Sequence, residues 1–268
     1  MNRKPTVVGT FYPSTPKDLA DMVADMTDAT APKAKAVGLV LPHAGYIYSG
    51  QVAGATLSRT KIEDTAVILG PNHTGLGAPF SLWSGDAWET PLGMIDIDEP
   101  LRQMILKNSS YLTSDTGAHM REHSLEVQLP FLQYLKPGVK IVPIVLGMAT
   151  TDDYQAIGRE LAQAITATGQ SATIIASSDL THYEPHHVAE RKDRLVIDAI
   201  LALDATMLIR YITEYHITMC GYAPVLALIA AAKALGATTG ELIRYQTSGD
   251  ASGDYQSVVG YAGITIRR

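Results

Sequence analysis

Three histidines in this chain stand directly after apolar runs. Pro42-His43-Ala44-Gly45-Tyr46 follows Ala36 to Leu41, Gly70-Pro71-Asn72-His73 follows Thr65 to Leu69, and Ser177-Ser178-Asp179-Leu180-Thr181-His182 follows Ala172 to Ala176. Short apolar runs bounded by Gly, Pro and Ser read as buried strands. In an open α/β sheet the ligand crevice lies at the carboxyl ends of the strands. If the three strands are parallel, their histidines therefore converge on one edge. Neutral imidazole ligates Zn, Cu, Fe and Ni, and it titrates near neutrality, so the chemistry on offer is metal binding or proton transfer. A lone buried histidine is ordinarily a hydrogen-bonded core residue. Three at three strand ends point to an active site.

His43 and His73 are about one βα unit apart, so adjacent parallel strands would bring both rings to one ion. A third ligand is then needed. The single cysteine, Cys220 in Thr218-Met219-Cys220-Gly221, sits where one helical pattern ends and another begins, and a thiolate could be presented there. A lone cysteine also serves as a small buried hydrophobe, and spacing alone does not choose between the two. Asp179 and His182, three residues apart, could share a cavity, with Asp179 ligating metal or orienting His182; the same residues would make a turn and a helix cap. Glu122-His123-Ser124-Leu125-Glu126 reads as the start of a helix reaching Leu135, kinked or split by Pro130, with ordinary capping for Glu122 and Ser124 and His123 free to act as a general acid or base. His119 reads as exposed, His186-His187 as a solvated loop, and His216 as either a neighbour of Cys220 or a helix-terminal residue. Ser248 to Gly253 could cradle an anion but reads rather as a mobile turn. Tyr46, Tyr48, Trp83 and Trp88 suit an aromatic pocket or the core equally well. No His-Glu-x-x-His helix, paired Cys-x-x-Cys site, Walker loop or Gly-x-Ser-x-Gly elbow occurs.

The elements that must position these side chains are legible in outline. A helix is expected from Lys17 to Met26, capped by Ser14-Thr15-Pro16. A hairpin is expected around Pro91-Leu92-Gly93, over or beside the crevice. Helices follow from about Glu99 and Asp152, with a strand at Val139 to Val145. A nearly continuous helical stretch from Ala189 to Leu235 precedes closing strands at Leu242 to Thr247 and Ser257 to Ile266. Alternating strands and helices predict a largely parallel sheet covered on both faces. Of the 268 residues, 46% are hydrophobic and 18% charged, a composition that suits one large α/β domain with a substantial core. The net charge of -6 and the absence of a basic cluster exclude a nucleic-acid partner. The N-terminus has no apolar signal-peptide core, and the longest apolar stretch, Ala223 to Leu235, is too short to span a bilayer. Cytoplasm is the expected compartment.

Taken together, Phe11-Tyr12-Pro13, Pro42-His43-Ala44-Gly45-Tyr46, Gly70-Pro71-Asn72-His73, Glu122-His123-Ser124-Leu125-Glu126, Ser177-Ser178-Asp179 with His182, and Cys220-Gly221 with Pro224 resemble the Memo-like family, in order and over essentially the whole chain. The resemblance implies a single α/β domain, with a central largely parallel or mixed sheet flanked by helices, similar to the class III LigB-type non-haem iron extradiol dioxygenases. It implies His43, His73 and Cys220 as metal ligands, with Asp179, His182 and His123 lining the same pocket as the catalytic candidates. Extradiol enzymes of that fold complete the site with a carboxylate, so a cysteine here is a departure that argues against classical ring cleavage. Two histidines and a thiolate favour iron, copper or zinc over magnesium or calcium. The expected function is therefore a metal-dependent oxidoreductase holding iron, or alternatively copper. A zinc-dependent hydrolase, or a module that keeps the pocket to bind a peptide or small molecule without turnover, are the competing expectations. The resemblance also suggests functional association with a radical-SAM protein and an AMMECR-like protein.

Overall fold

A computed structural model describes residues 1–268. Strand β1 (Asn2–Arg3) opens the chain. Helix α1 (Pro16–Asp25) begins where the Thr15 hydroxyl accepts from Asp18 N, with Pro16 in the first turn; that is the position where proline's missing N–H costs nothing. Next come β2 (Ala34–Lys35), β3 (Gly38–Leu41), α2 (Tyr46–Ser58), β4 (Thr60–Lys61) and β5 (Thr65–Pro71). They are followed by β6 (Phe80–Trp83), β7 (Ala87–Thr90), β8 (Gly93–Asp96), α3 (Glu99–Asn108) and β9 (Thr113–Asp115). Then α4 (Leu129–Leu135), β10 (Lys140–Leu146), α5 (Thr151–Thr168), β11 (Thr173–Ser177) and β12 (His182–Glu184) lead into the C-terminal third. That third holds α6 (His186–Leu201), α7 (Ala205–Glu214), α8 (Tyr222–Ala234), β13 (Thr239–Thr247), the single turn α9 (Gly249–Ser252) and β14 (Val258–Arg267).

The central sheet has nine strands in the order β12-β14-β3-β11-β5-β10-β6-β9, with β13 paired to β14. Strands β3, β11, β5 and β10 are parallel, while β14 and β6 run antiparallel on either side of them. Every residue of β3, β5 and β11 is buried, as parallel strands covered on both faces require. Because successive side chains alternate faces, Val40, Val67 and Ile174 pack with Ile157 and Leu161 of α5 and Val225 and Leu228 of α8. Leu39, Leu41, Ile68 and Ile175 face the other way, against Leu19 of α1, Leu57 of α2 and Phe131 of α4. Each such side chain contributes roughly 1.5–3 kcal/mol by leaving water. Helices α5 and α8 touch closely at Gly158, where a Cβ would stand 2.1 Å from Ala227 O. The result is one α/β domain around a mixed sheet, and no helix is long and apolar enough to cross a membrane.

Several details differ from the sequence reading. Strands β3 and β5 are not neighbours: β11 lies between them in register with both. Local patterning cannot encode strand order, because a crossover connection can return to any free edge. The expected helix from Glu122 does not form. Pro130, which lacks an N–H and would clash with the carbonyl four residues before it, falls instead in the first turn of α4; residues 126–128 form a 3-10 turn and 122–125 an irregular one. His119 is fully buried rather than exposed, with its ring edge-on to Trp83 and Trp88. Burial holds its pKa down to about 3, so the ring is neutral. His186-His187 begin α6 rather than a loop, and the 248–253 segment contains a helical turn in which Asp250 accepts from Thr247 N. The hairpin around Leu92 forms from β7 and β8 and is tied to α4 by the Thr90 hydroxyl and Gln133.

Candidate metal centre

At the carboxyl end of β3, His43 is buried and its backbone N–H donates to Asp179 Oδ1 at 2.8 Å. Its Nδ1 lies 3.0 Å from Ser177 Oγ. That hydroxyl gives its own proton to Ser124 O at 2.7 Å and accepts from Gln128 Nε2 at 2.9 Å. Having spent its hydrogen, Ser177 can only accept from His43. The proton therefore sits on His43 Nδ1, and the Nε2 lone pair faces the crevice.

His73, just past β5, reaches the same state by another route. Its backbone N–H donates to Glu122 Oε2 at 2.7 Å, and its Nδ1–H donates to Glu122 Oε1 at 2.9 Å. Glu122 is fully buried and also accepts from Ser124 N. Burial alone would push its pKa up, but the bonds from His73 and Ser124 outweigh this, leaving it at about 2. A carboxylate on the far nitrogen fixes the tautomer and raises the basicity of the other nitrogen, as second partners of metal-bound histidines do. His73 thus also offers Nε2.

His123 completes a trio. Ring centroids are 5.2 Å apart for His43 and His73, 5.5 Å for His43 and His123, and 4.8 Å for the nearly parallel rings of His73 and His123. One ligand atom from each lies within 4.8 Å of the others. Phe11 holds the His123 ring edge-on at 5.0 Å. Cys220 arrives from the turn before α8, its Sγ 3.2 Å from His43 Nε2 and accepting from Asp179 N at 3.3 Å. Gly221 makes this approach possible. A Cβ there would stand 2.3 Å from Ser177 O, so only glycine lets the turn press onto the end of β11. Burial pushes the Cys220 thiol well up, so without an ion its proton stays on sulfur, within reach of His43 Nε2 and Asp179 O.

Asp179 and His182 lie in the segment that follows β11. Asp179 is buried, and burial raises its carboxyl to about 6 against the bond from His43 N. Its Oδ2 lies 4.0 Å from His43 Nε2, but burial drives the His43 imidazolium far down, so this contact is not an ion pair. His182 donates Nδ1–H to Leu180 O at 2.7 Å, shared with Thr218 O at 3.0 Å, which leaves Nε2 as a proton acceptor. His216 lies two residues past the end of α7, exposed and with φ 50.

The structure therefore brings together His43, His73 and His123, sets Cys220 against His43, and places Asp179 beside both. Sequence reasoning missed Glu122, Ser177 and Gln128 as the groups that orient the rings. The pair Glu122-His123 carried a faint signal, but Ser177 and Gln128 act on residues far along the chain and carried none. The donor set fits a transition metal: two preset imidazole lone pairs, a third imidazole and a sulfur. Replacing Glu122 by glutamine should weaken metal binding about 10–100-fold, measured by chelator competition. An isosteric amide must turn its NH2 toward one of the two N–H donors of His73, so ring and backbone cannot both be satisfied. Unchanged affinity would remove Glu122 from the centre.

A family model described as Memo-like protein matches residues 3–265. A MEMO1 family protein of Methanopyrus kandleri is 42% identical over 282 residues, spanning 100% of both chains. One from Aquifex aeolicus is 45% identical over 265 residues, spanning 98% of each. Among solved structures, an uncharacterized protein from Escherichia coli K12 superposes with a TM-score of 0.56, covering 85% of this chain and 98% of that one at 13% identity, a likeness of fold alone.

Proposed function

This chain belongs to the Memo-like protein family, and from that premise we propose that it is a metal-dependent oxidoreductase related to the non-haem iron extradiol dioxygenases. Iron, or alternatively copper, is held by His43, His73 and Cys220. The observation that carries the reading is the matched state of two imidazoles from separate strands, each with Nδ1–H committed to a buried acceptor and Nε2 turned to a common space. The sulfur of Cys220, set against His43, would as a thiolate select a transition metal over magnesium or calcium.

A metal held there would supply Lewis-acid and redox chemistry toward substrate and dioxygen. The chain does the rest. As a metal ligand Cys220 would give up its proton, as metal binding to a thiol requires, and the Asp179 N–H that already donates to its sulfur would stabilise the charge. Asp179 holds His43 in place through the backbone N–H, and its raised carboxyl can carry a proton near neutrality. His182 Nε2 and His123 are the proposed proton carriers at the substrate. Association with radical-SAM and AMMECR-like proteins is proposed on family grounds.

Protein purified without oxygen should carry iron or copper, with its anomalous-scattering peak between His43, His73 and Cys220, and should consume oxygen with a suitable reductant or substrate. The trio of imidazoles favours one second reading, a zinc hydrolase, since three histidines with an open fourth position activate water. Zinc alone restoring activity, with no oxygen uptake, would decide for that reading against the first.

A further inference from the structure

We propose that Arg3 is the positioning residue of the centre, a clamp that fixes the irregular segment from which Glu122 and His123 project. Its use to the metal rests on the reading above; its effect on the segment does not.

The Arg3 side chain is fully buried, far along the chain from every candidate ligand. Strand β1 pairs in parallel with β7, setting Arg3 opposite Trp88, and the guanidinium lies over the Trp88 ring at 4.1 Å. From there Nε donates to His119 O at 2.7 Å, Nη2 to Glu122 O at 2.6 Å, and Nη1 to Glu126 Oε2 at 2.7 Å. Residues 116–125 contain neither α-helix nor strand. Isolated turn bonds such as Glu122 N to His119 O and Val127 N to His123 O are what the backbone makes for itself. A segment so poorly self-bonded needs an outside tie to hold one geometry. Burying a cation is costly, and anchoring a single carbonyl would not require it. Only a rigid guanidinium fork reaches three acceptors at once; a lysine ammonium on a flexible stem does not.

The carbonyl of Glu122 is one of these acceptors, while the carboxylate of the same residue holds both N–H groups of His73. His123 is the next residue and stacks on His73. One displaced segment therefore misplaces two of the three imidazoles together, while it reaches His43 only indirectly, through the Ser124 carbonyl and the Ser177 hydroxyl, and leaves Cys220, packed on the end of β11, where it is.

The test uses the full-length protein with Co(II) as the probe. In Arg3→Lys, circular dichroism should remain that of the wild type, while Co(II) affinity falls roughly tenfold, as loss of an orienting partner does, and the Co(II) absorption bands shift. In the metal-free variant, the ring nitrogen-15 resonances of His73 and His123 should move, and those of His43, tied to the segment only through Ser177 and the Ser124 carbonyl, should move less. Leu19→Ala, on the buried face of α1, is the control, expected to lower the melting temperature yet leave Co(II) affinity and the ring resonances as in wild type. Should Arg3→Lys not fold, Arg3→Gln with Glu126→Gln leaves no charge unpaired and should give the same loss. Wild-type affinity and wild-type His73 and His123 resonances in either folded variant would overturn the proposal. If wild-type protein binds no Co(II), the metal reading fails, and the ring resonances still decide the role of Arg3.

Discussion

Alanine in place of His73 should yield a folded protein whose metal affinity has dropped by at least the roughly 100-fold at the upper end of what loss of an orienting partner costs. His43→Ala should do the same. Both rings sit at strand ends rather than in the packed interior of the sheet, so removing them opens space toward the crevice and leaves the two hydrophobic layers intact. The informative pair is Cys220→Ser and His123→Ala. Cys220 Sγ is already 3.2 Å from His43 Nε2, inside the distance of about 4.4 Å that a metal–nitrogen and a metal–sulfur bond span end to end. Cys220→Ser should therefore lose metal nearly as completely as His73→Ala, while His123→Ala keeps metal and loses turnover. Metal analysis of the four variants, purified side by side without oxygen, checks this. Full metal content in Cys220→Ser with depletion in His123→Ala would assign the third position to His123 and favour the zinc reading.

How far the sequence showed this site depends on the distance over which each interaction acts. His43 and His73 were legible because a histidine after a buried apolar run falls at the carboxyl end of a strand, and β3 and β5 are such strands. Cys220 was ambiguous from spacing and became a ligand candidate only through the family resemblance. Glu122 was misread because its four-residue spacing to Glu126 imitates a helix, whereas Pro130 delays the helix to Leu129 and turns both carboxylates inward, one to His73 and one to Arg3. Insertion of β11 between β3 and β5 left no local trace. It matters for function, because the middle strand delivers Ser177 and Asp179 to His43 and presents its end to Gly221 and Cys220. His119 looked exposed because nothing in Gly117-Ala118-His119-Met120-Arg121 marks a buried strand or helix; its neighbours in space are two tryptophans.

Glu126→Ala should cost about 3–5 kcal/mol of stability, the usual loss when one partner of a buried ion pair is removed, and lower the melting temperature by roughly 10 °C. Glu126 is fully buried and accepts from Arg3 Nη1, from Thr6 N and Oγ1, from Val7 N and from the Tyr12 hydroxyl. Its loss leaves a cation and several donors buried without an acceptor, and the N-terminal residues lose their hold on the centre's segment. Glu126→Gln, of the same shape, isolates the charge. Burial would raise the Glu126 carboxyl, but Arg3 and the N–H groups of Val7 and Thr6 prevail and hold it below the ordinary value of 4.5. A depressed carboxylate contributes stability that is complete above its unfolded pKa and disappears as pH falls through its folded one. The stability gap between wild type and Glu126→Gln, read from denaturant titrations, should therefore be widest at pH 7 and begin to close below about pH 4.5. Once Glu126 is protonated in both folded and unfolded chains, wild type and variant present Arg3 with the same uncharged partner. A gap of constant size down to pH 3 would mean that shape and hydrogen bonding, and not charge, hold Arg3 in place.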